Sequence, residues 1–414
     1  MATLPPPAVS QWEVTACHTP RRVLPTHPTL SSPIVESEKP VGFGSFGVVW
    51  EVTNPRDGRR VALKRMTNVF DSVAAARRVV RELKMLFFLK HDNVLAALDV
   101  VKPSSLYFTE VHVLFELMMS DLHKVIYSSL FLTDSHIKIF LYQILRGMKY
   151  LHSTGILHRD LKPGNLLVHK DCSLKICDFG LARMAASDAS TAMTQEVVTL
   201  YYRAPEILAG CPHYDSAIDM WSIGCIFAEL LGRAVLFHAS SPITQLDEIT
   251  DLLGTPTLTE LHCACEAARM HISKQNKQSQ LNNLNNLSSN ATHEAVHLLC
   301  QFLIFDPKKR ISCFDALSHP YLDEGRQYYH TMLCTCCHVR NGIRVYSRDL
   351  EPSSPHLFNS LYEDSVMYVS SLQHILRQFI SQVNPEKPPL YINPAAAVLP
   401  SFFRTRPGRA PETS

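Results

Sequence analysis

The sequence predicts an α+β protein of two lobes, a small β-rich one followed by a larger helical one. Three observations carry this reading. From Val41 to Lys64, β-branched and aromatic residues alternate with turn signals such as Arg56-Asp57-Gly58, which reads as three strands of a hairpin-rich lobe, the third ending at Lys64. A helix is expected near residues 73 to 89. After Asp134 the apolar spacing becomes helical, with Phe140, Ile144, Met148 and Leu151 near a period of 3.6, and this character returns near 216 to 232, 293 to 305 and 313 to 318.

The flanks differ in kind. Residues 1–34 hold Pro5, Pro6, Pro7, Pro20, Pro25, Pro28 and Pro33 with few aromatics, a composition that buries too little apolar surface to order itself, and they are expected to form a flexible tail. The folded core is expected over 35–322, with the N-terminal lobe at about 35–118 and the C-terminal lobe at about 119–322. Within the latter, residues 274–290 (KQNKQSQLNNLNNLSSN) are polar and repetitive and read as a surface insertion. Residues 323–414 form a C-terminal extension.

With 414 residues, 46% hydrophobic and 19% charged, the chain can bury a large core. Forty basic against 38 acidic residues leave a formal net charge of +2, so no global field argues for nucleic acid or membrane as a partner. The start lacks a basic region followed by an apolar run, and the most apolar stretch, Met220 to Leu231, is too short to span a bilayer. Twelve scattered cysteines without the spacing of a disulfide scaffold favour reduced thiols. Cys334, Cys336, Cys337 and His338 sit together, but a structural zinc site draws on two separated ligand pairs and no second pair with matching spacing is apparent.

Two motif clusters carry chemistry. Gly42-x-Gly44-x-x-Gly47-x-Val49 supplies glycines where backbone must approach phosphates closely. Alone it is a weak signal shared with dinucleotide folds, but Val48-Val49-Trp50 and Val61-Ala62-Leu63-Lys64 continue as strand, not helix. Glu82 follows Lys64 by 18 residues, on the next helix, a spacing that suits a lysine held by a helical carboxylate while it grips phosphates. The second cluster, His158-Arg159-Asp160-Leu161-Lys162-Pro163-Gly164-Asn165, is followed 18 residues after Asp160 by Asp178-Phe179-Gly180. Phosphoryl transfer needs positioners and charge neutralisers, and this set supplies them: Asp160 to take a hydroxyl proton, Asn165 and Asp178 to hold Mg²⁺, and Lys162 to neutralise charge on the moving group.

With Ala204-Pro205-Glu206, Asp219-Met220-Trp221-Ser222-Ile223-Gly224 and Arg310, the chain resembles the eukaryotic protein kinases over residues 35–322. Lys162 follows their serine/threonine pattern. Leu252-Leu253-Gly254-Thr255-Pro256 resembles the group of mitogen-activated and cyclin-dependent kinases. Asn68-Val69-Phe70, His91-Asp92-Asn93-Val94-Leu95, Met193-Thr194-Gln195-Glu196-Val197-Val198-Thr199 and Ala291-Thr292-His293-Glu294-Ala295 are similar to the nemo-like kinases, of which the chain looks like a divergent member.

The resemblance implies a two-lobed kinase fold, ATP and Mg²⁺, and the remaining site residues. ATP would be bound by Val41, Gly42, Gly44, Gly47, Val49, Ala62, Lys64, Glu116, Met118, Asp121 and Leu167, with adenine between Val49 and Ala62 on one side and Leu167 on the other. Lys64, Asp160, Lys162 and Thr199 would be catalytic, Asn165 and Asp178 the metal ligands, and Glu82 the helical partner of Lys64. Thr194 would be the one activating phosphosite, because Glu196 stands where mitogen-activated kinases place a tyrosine, and Arg81, Arg159 and Arg183 would grip its phosphate. Val197-Val198-Thr199-Leu200 resembles the segment that accepts proline after the target residue. Transcription factors as substrates, an upstream activating kinase and a nuclear and cytoplasmic location are implied in the same way; a homodimer is compatible with the sequence, which leaves the oligomeric state open.

Departures from the family leave some readings open. Phe115 replaces a smaller residue at the back of the adenine pocket, which would overpack inhibitors that extend there. Cys177, just before Asp178, is either a thiol near the bound metal or a small core residue. Asp323 and Glu324 are either an acidic docking patch or an ordinary solvated helix exit. A nucleotide-binding scaffold without turnover is the rival reading, and the intact Lys64, Asp160 and Asp178 speak against it.

Overall fold

The computed structural model describes residues 29–30, 39–44, 47–54, 56–103, 105, 107–184, 199–334, 337, 339–340, 343–344, 351–360, 368–383, 385–386, 390 and 392–393. The chain divides into two units, one of residues 16–69, 98–117 and 376–414 and one of residues 1–15, 70–97 and 118–375.

The first unit is built on strands. Strand β1 (Thr29–Leu30) pairs with Ile392–Asn393, so part of the expected flexible tail is strand; residues 1–28 and 31–38 lie outside the described residues. Strands β2 (Lys39–Gly44), β3 (Gly47–Thr53), β4 (Arg60–Met66), β5 (Ala97–Val100) and β6 (Val111–Glu116) form a sheet in the order β2-β3-β4-β6-β5. Because side chains alternate along a strand, Trp50 and Val52 face one side together with Val61, Leu63 and Leu114, and they form one core cluster with Val101 and Leu390. The register sets Trp50 opposite Leu63 and Leu63 opposite Leu114, which stacks the large residues cross-strand. Lys64 is interior to β4, not at its end, since the strand runs on to Met66. Gly47, at φ +140°, is demanded by packing: a Cβ there would run into the carbonyl of Arg65.

The second unit is mainly helical. Helix α1 (Val73–Phe88) starts where the Ser72 hydroxyl accepts the Ala75 N–H at 3.0 Å. Strand β7 (Ser120–Asp121) leads into α2 (Leu122–Ile126), and α3 (Asp134–Ser153) opens with a capping box between Thr133 and His136. The short strands β8 (Ile156–Leu157), β9 (Leu166–Val168), β10 (Leu174–Ile176) and β11 (Arg183–Met184) form two small sheets, ordered β10-β9-β7 and β11-β8. Then come α4 (Pro205–Leu208), α5 (Ala217–Gly232), α6 (Pro242–Leu253), α7 (Glu266–Ser273), α8 (His293–Phe302), α9 (Cys313–Leu317) and α10 (Asp323–Tyr328). Helix α5 is buried from Ala217 to Leu231, which explains the apolar run around Met220: it is a helix apolar all round at the centre of a core. Among the described residues no helix is long and apolar enough to cross a membrane.

Three features depart from the sequence reading. Residues 274–290 are not all surface: Leu281–Asn286 forms a 3₁₀ turn, and Leu284 is buried. Leucines spaced by three share one face of a 3₁₀ helix, so the Asn- and Gln-rich composition hid an apolar stripe. Cys211 and Cys263, expected to be reduced, form a disulfide with Cα atoms 5.0 Å apart, beside the cluster of Ala209, Leu246, Leu261, Ala264 and Ile272. The extension beyond 323 also does not begin as a separate element, because the helical run continues from Pro320 to Leu333. Farther on, the Phe358 N–H donates to the Thr154 carbonyl and the Ser354 N–H to the Ser153 hydroxyl, so this segment lies against the end of α3.

One buried ion pair ties α4 to the loop after α8. Arg310 donates to both carboxylate oxygens of Glu206, at 2.8 and 3.0 Å, and to the Ala217 carbonyl at 2.6 Å, with its guanidinium over the Trp221 ring. The side chains are 0% and 3% exposed. Arg310→Ala strands a buried carboxylate and is expected to lose roughly 3–5 kcal/mol of stability in urea denaturation. A loss below about 1 kcal/mol, the range of an exposed pair, would show that the bond contributes little.

Candidate active site

The segment 158–165 follows β8, and a single buried carboxylate sets its path. Asp219, in the first turn of α5 and 0% exposed, accepts the backbone N–H of His158 on Oδ2 at 3.0 Å and that of Arg159 on Oδ1 at 2.9 Å. Its Oδ2 also faces His152 Nε2 at 3.0 Å. The tether holds Arg159 at φ +70°, a left-handed backbone that an arginine adopts only under constraint. Asp160 follows directly. Lys162 Nζ and Asn165 Nδ2 both donate to Asp160 Oδ2, at 2.8 and 3.0 Å, and Asn165 Nδ2 also donates to the Asp160 carbonyl at 2.8 Å.

The strand leading to Asp178 is stitched to this loop. Asp160 N–H donates to His158 Nδ1 at 3.3 Å, so the protonated Nε2 donates to the Cys177 carbonyl at 3.0 Å, and the ring stands edge-on to Phe179. Cys177 N–H in turn donates to the Asn165 carbonyl at 2.9 Å. Asp178 sits at φ 67° and accepts the Gly180 N–H at 3.4 Å. The donor set suits a hard divalent cation: the Asn165 amide hydrogens are spent on Asp160, which leaves its carboxamide oxygen as a ligand, and Asp178 adds a carboxylate. Cys177 itself is a half-buried thiol.

The other expected residues fall as follows. In the sheet, Gly42, Gly44, Gly47 and Val49 lie on β2 and β3, Lys64 pairs with Val49 and Val113, Ala62 pairs with Phe115, and Glu116 ends β6 opposite Val61. Val41 is 41% exposed, whereas Phe115 is buried. In the helical unit, Arg81 and Glu82 are buried in α1, which packs against the turn Phe179–Leu181. Met118 precedes β7, and Leu167 on β9 pairs with Asp121. Asp121 caps α2 by accepting the Lys124 N–H at 2.9 Å, with Lys124 Nζ also 2.9 Å from its carboxylate. Arg183 on β11 pairs with Leu157 on β8, and Thr199 is exposed. Thr194 lies outside the described residues, as do Gln195 through Val198.

Sequence reasoning missed the support beneath Tyr201-Tyr202-Arg203. Glu229 in α5 accepts the hydroxyls of Tyr202 at 2.7 Å and Tyr127 at 3.0 Å, while the Ser222 hydroxyl donates to the Tyr202 carbonyl at 2.7 Å. Burial raises the Glu229 carboxyl above its usual range, against the pull of the two tyrosine hydroxyls. A lone glutamate inside the apolar run of α5 was the available signal. Asp323 and Glu324 are exposed and make local ion pairs: Asp323 with Arg326 at 2.9 Å, and Glu324 with Lys138 at 3.0 Å, also accepting the Ser135 hydroxyl at 2.8 Å.

His152 and Asp219 form a charged pair under the loop. Burial opposes a charge on His152, but the Cys313 sulfur and the Asp219 carboxylate outweigh it and raise its pKa to about 10. Burial would raise Asp219 as well, yet the bond from His152 and the backbone N–H of Arg159 hold it below the ordinary value. With the folded pKa of His152 above its unfolded value of about 6.5, the pair stabilises fully below that pH and fades as pH rises toward 10. His152→Gln should therefore lose most stability near pH 6, with the gap to wild type closing in alkaline buffer. A gap that widens as pH rises would contradict the assignment.

Comparison with known proteins agrees with this geometry. The protein kinase domain family matches residues 35–322. The chain is 59% identical over 373 residues to serine/threonine-protein kinase NLK2 of Xenopus tropicalis, covering 89% of this chain and 82% of that protein. It is 47% identical over 398 residues to serine/threonine kinase NLK of Caenorhabditis elegans, covering 93% of this chain and 62% of that protein. Mitogen-activated protein kinase 7 of Arabidopsis thaliana is 47% identical over 285 residues, 69% of this chain and 77% of that protein. A catalytic loop hung from a buried α5 aspartate, with its lysine and asparagine closed on one carboxylate, and relatives of this closeness lead to one conclusion: the chain belongs to the protein kinase family, among the serine/threonine kinases of the NLK type.

Proposed function

We propose that this serine/threonine kinase is proline-directed, uses Mg²⁺ with ATP, and is switched on by one phosphate on Thr194. The observation that carries the reading is the Asp160 carboxylate. Lys162 and Asn165 occupy its Oδ2, which turns Oδ1 to the role of accepting the hydrogen of a substrate serine or threonine hydroxyl. Lys162 can shift its charge from Asp160 to the phosphoryl oxygens as the hydroxyl attacks, a contact that grows with the transition state. Asn165 and Asp178 would hold Mg²⁺, which when bound neutralises charge on the ATP phosphates. Lys64 and the glycines of β2 and β3 would bind those phosphates.

Proline direction rests on the segment around Thr199, whose resemblance to proline-accepting kinases is joined by a rigid base: Tyr202 is bound through Glu229 and Ser222 to α5. A backbone carbonyl turned away from the peptide leaves any residue with an N–H unpaired there, and proline has none to offer. The single switch rests on Glu196 and on the positions of Arg81, Arg159 and Arg183, in α1, the catalytic loop and β11 of one unit. Each charge-assisted hydrogen bond to phosphate is worth roughly 1.5–3 kcal/mol, enough in twos or threes to offset about 1–2 kcal/mol for each loop residue ordered. Protein substrates and an upstream kinase follow from the group; transcription factors as substrates, homodimerisation and a nuclear as well as cytoplasmic location belong to this proposal.

Two measurements test it. Asp160→Ala and Lys64→Met are expected to fold normally and to lower turnover on a Ser-Pro peptide by about 100- to 10,000-fold; turnover within tenfold of wild type would refute the site. On a peptide array the wild type should prefer proline after the phosphorylated residue, and Thr194→Val should silence it. Full activity in Thr194→Val would overturn the single-switch reading.

A further inference from the structure

Near the end of the helical run 320–333, three ligand-type side chains meet. His330, Cys334 and Cys337 place one nitrogen and two sulfurs all within 4.8 Å of one another. His330 and Cys334 are each 2% exposed. The sequence offered Cys334, Cys336, Cys337 and His338 and lacked a second ligand group. His330, one helical turn before Cys334, supplies it, while Cys336 and His338 lie outside the described residues. The helix widens to π spacing over Tyr329–Leu333, with the Cys334 N–H reaching back to the Tyr329 carbonyl at 3.1 Å, and such π turns recur at functional sites.

The orientation of His330 separates this cluster from a chance meeting. Its Nε2 faces Glu351 Oε1 at 2.5 Å and the Tyr142 hydroxyl at 3.0 Å; with the proton on Nε2, Nδ1 presents its lone pair. That lone pair faces Cys337 Sγ at 3.0 Å. A neutral imidazole that gives one N–H to a carboxylate and offers the other nitrogen is the arrangement of metal-ligating histidines. Glu351 is itself held by Arg146 and Tyr142 of α3, which fixes the ring. Tetrahedral zinc, with Zn–S of about 2.3 Å and Zn–N of about 2.0 Å, sets ligand atoms roughly 3.5–3.8 Å apart. The three ligand atoms lie within 4.8 Å of one another, with Nδ1 and the Cys337 sulfur at 3.0 Å, so shifts of about an ångström would seat an ion among them. A thiol donating to Nδ1 would account for Cys337, but it would not by itself bring a second sulfur to the same nitrogen.

We propose that His330, Cys334 and Cys337 bind one zinc ion, with the fourth position left to water, and that the ion fastens the segment after α10 to α3 through Glu351. Binding displaces the two thiol protons to solvent; Cys334, which as a thiol donates to the His330 carbonyl at 3.2 Å, gives up that bond with its proton. Three soft and borderline donors and no cluster of carboxylates select zinc over magnesium or calcium.

The test uses the full-length chain, stripped with a chelator and titrated with Zn²⁺ or Co²⁺ against a competing indicator. Expected are about one zinc per chain, a thiolate-to-cobalt charge-transfer band, and a melting temperature raised by zinc. Cys337→Ser should abolish the charge-transfer band and the stoichiometric binding, and Glu351→Gln should weaken zinc about 10- to 100-fold as a positioning change. Far-UV circular dichroism checks that both variants fold, and if Glu351→Gln does not, the half-buried Cys337 decides alone. Cys265→Ser, an exposed cysteine outside the cluster, should bind as wild type does. No stoichiometric metal in the wild type, or binding unchanged in Cys337→Ser, would overturn the site.

Discussion

The pairing of Asp219 with the backbone of His158 and Arg159 is the constraint on which the rest of the catalytic loop depends. A carboxylate sealed inside a helical core is costly unless every lone pair finds a donor, and here two peptide N–H groups and the His152 ring supply them. The bonds work in both directions. They satisfy the buried charge, and they hold Arg159 in a left-handed conformation that would relax without them, so that Asp160 leaves the turn in one direction only. The net of Lys162, Asn165, His158 and the Cys177 carbonyl then extends from a loop already fixed at its root.

Helix α5 spreads that constraint further. Asp219 near its start holds the catalytic loop, Ser222 one turn on holds the Tyr202 carbonyl, and Glu229 near its end holds the Tyr202 and Tyr127 hydroxyls. A helix buried over nearly its whole length moves little, because any shift opens a void or a clash in close-packed surroundings. The catalytic loop and the Tyr202 segment are therefore referred to one rigid rod. Arg310 locks the rod from outside by bonding the Ala217 carbonyl while it neutralises Glu206.

What the sequence made legible follows from chain distance. The glycines, Lys64, the run from His158 to Asn165 and Asp178-Phe179-Gly180 are local patterns whose spacing alone announces phosphate chemistry, and the strands and helices around them carry clear periods of two and 3.6. The supports were not legible. Asp219 meets His158 across 61 residues, Glu229 meets Tyr127 across 102, and Glu351 meets His330 across 21 from beyond the last core helix. No local pattern encodes such pairings; only the folded topology brings them together. Cys211 and Cys263, 52 residues apart, failed for the same reason. Leu284 failed for another: its three-residue spacing was visible, but asparagine and glutamine dominated the composition around it.

Helix α3 ends under the catalytic loop and carries the C-terminal extension on its flank, so the two share a support. His152 in its last turn bonds Asp219, while Tyr142 and Arg146, farther back on the same helix, hold Glu351. Arg146 is fully buried, and its guanidinium also donates to Asn93 at 2.9 Å and to the Tyr329 hydroxyl at 3.0 Å. Removing Glu351 would strip a buried arginine of its closer carboxyl partner, leaving Asp92 at 3.2 Å as the remaining one. The extension is thus not an appendage to a finished domain. It supplies a carboxyl group that Tyr142 and Arg146 of α3 both bond, on the helix whose last turn carries the His152 that meets Asp219.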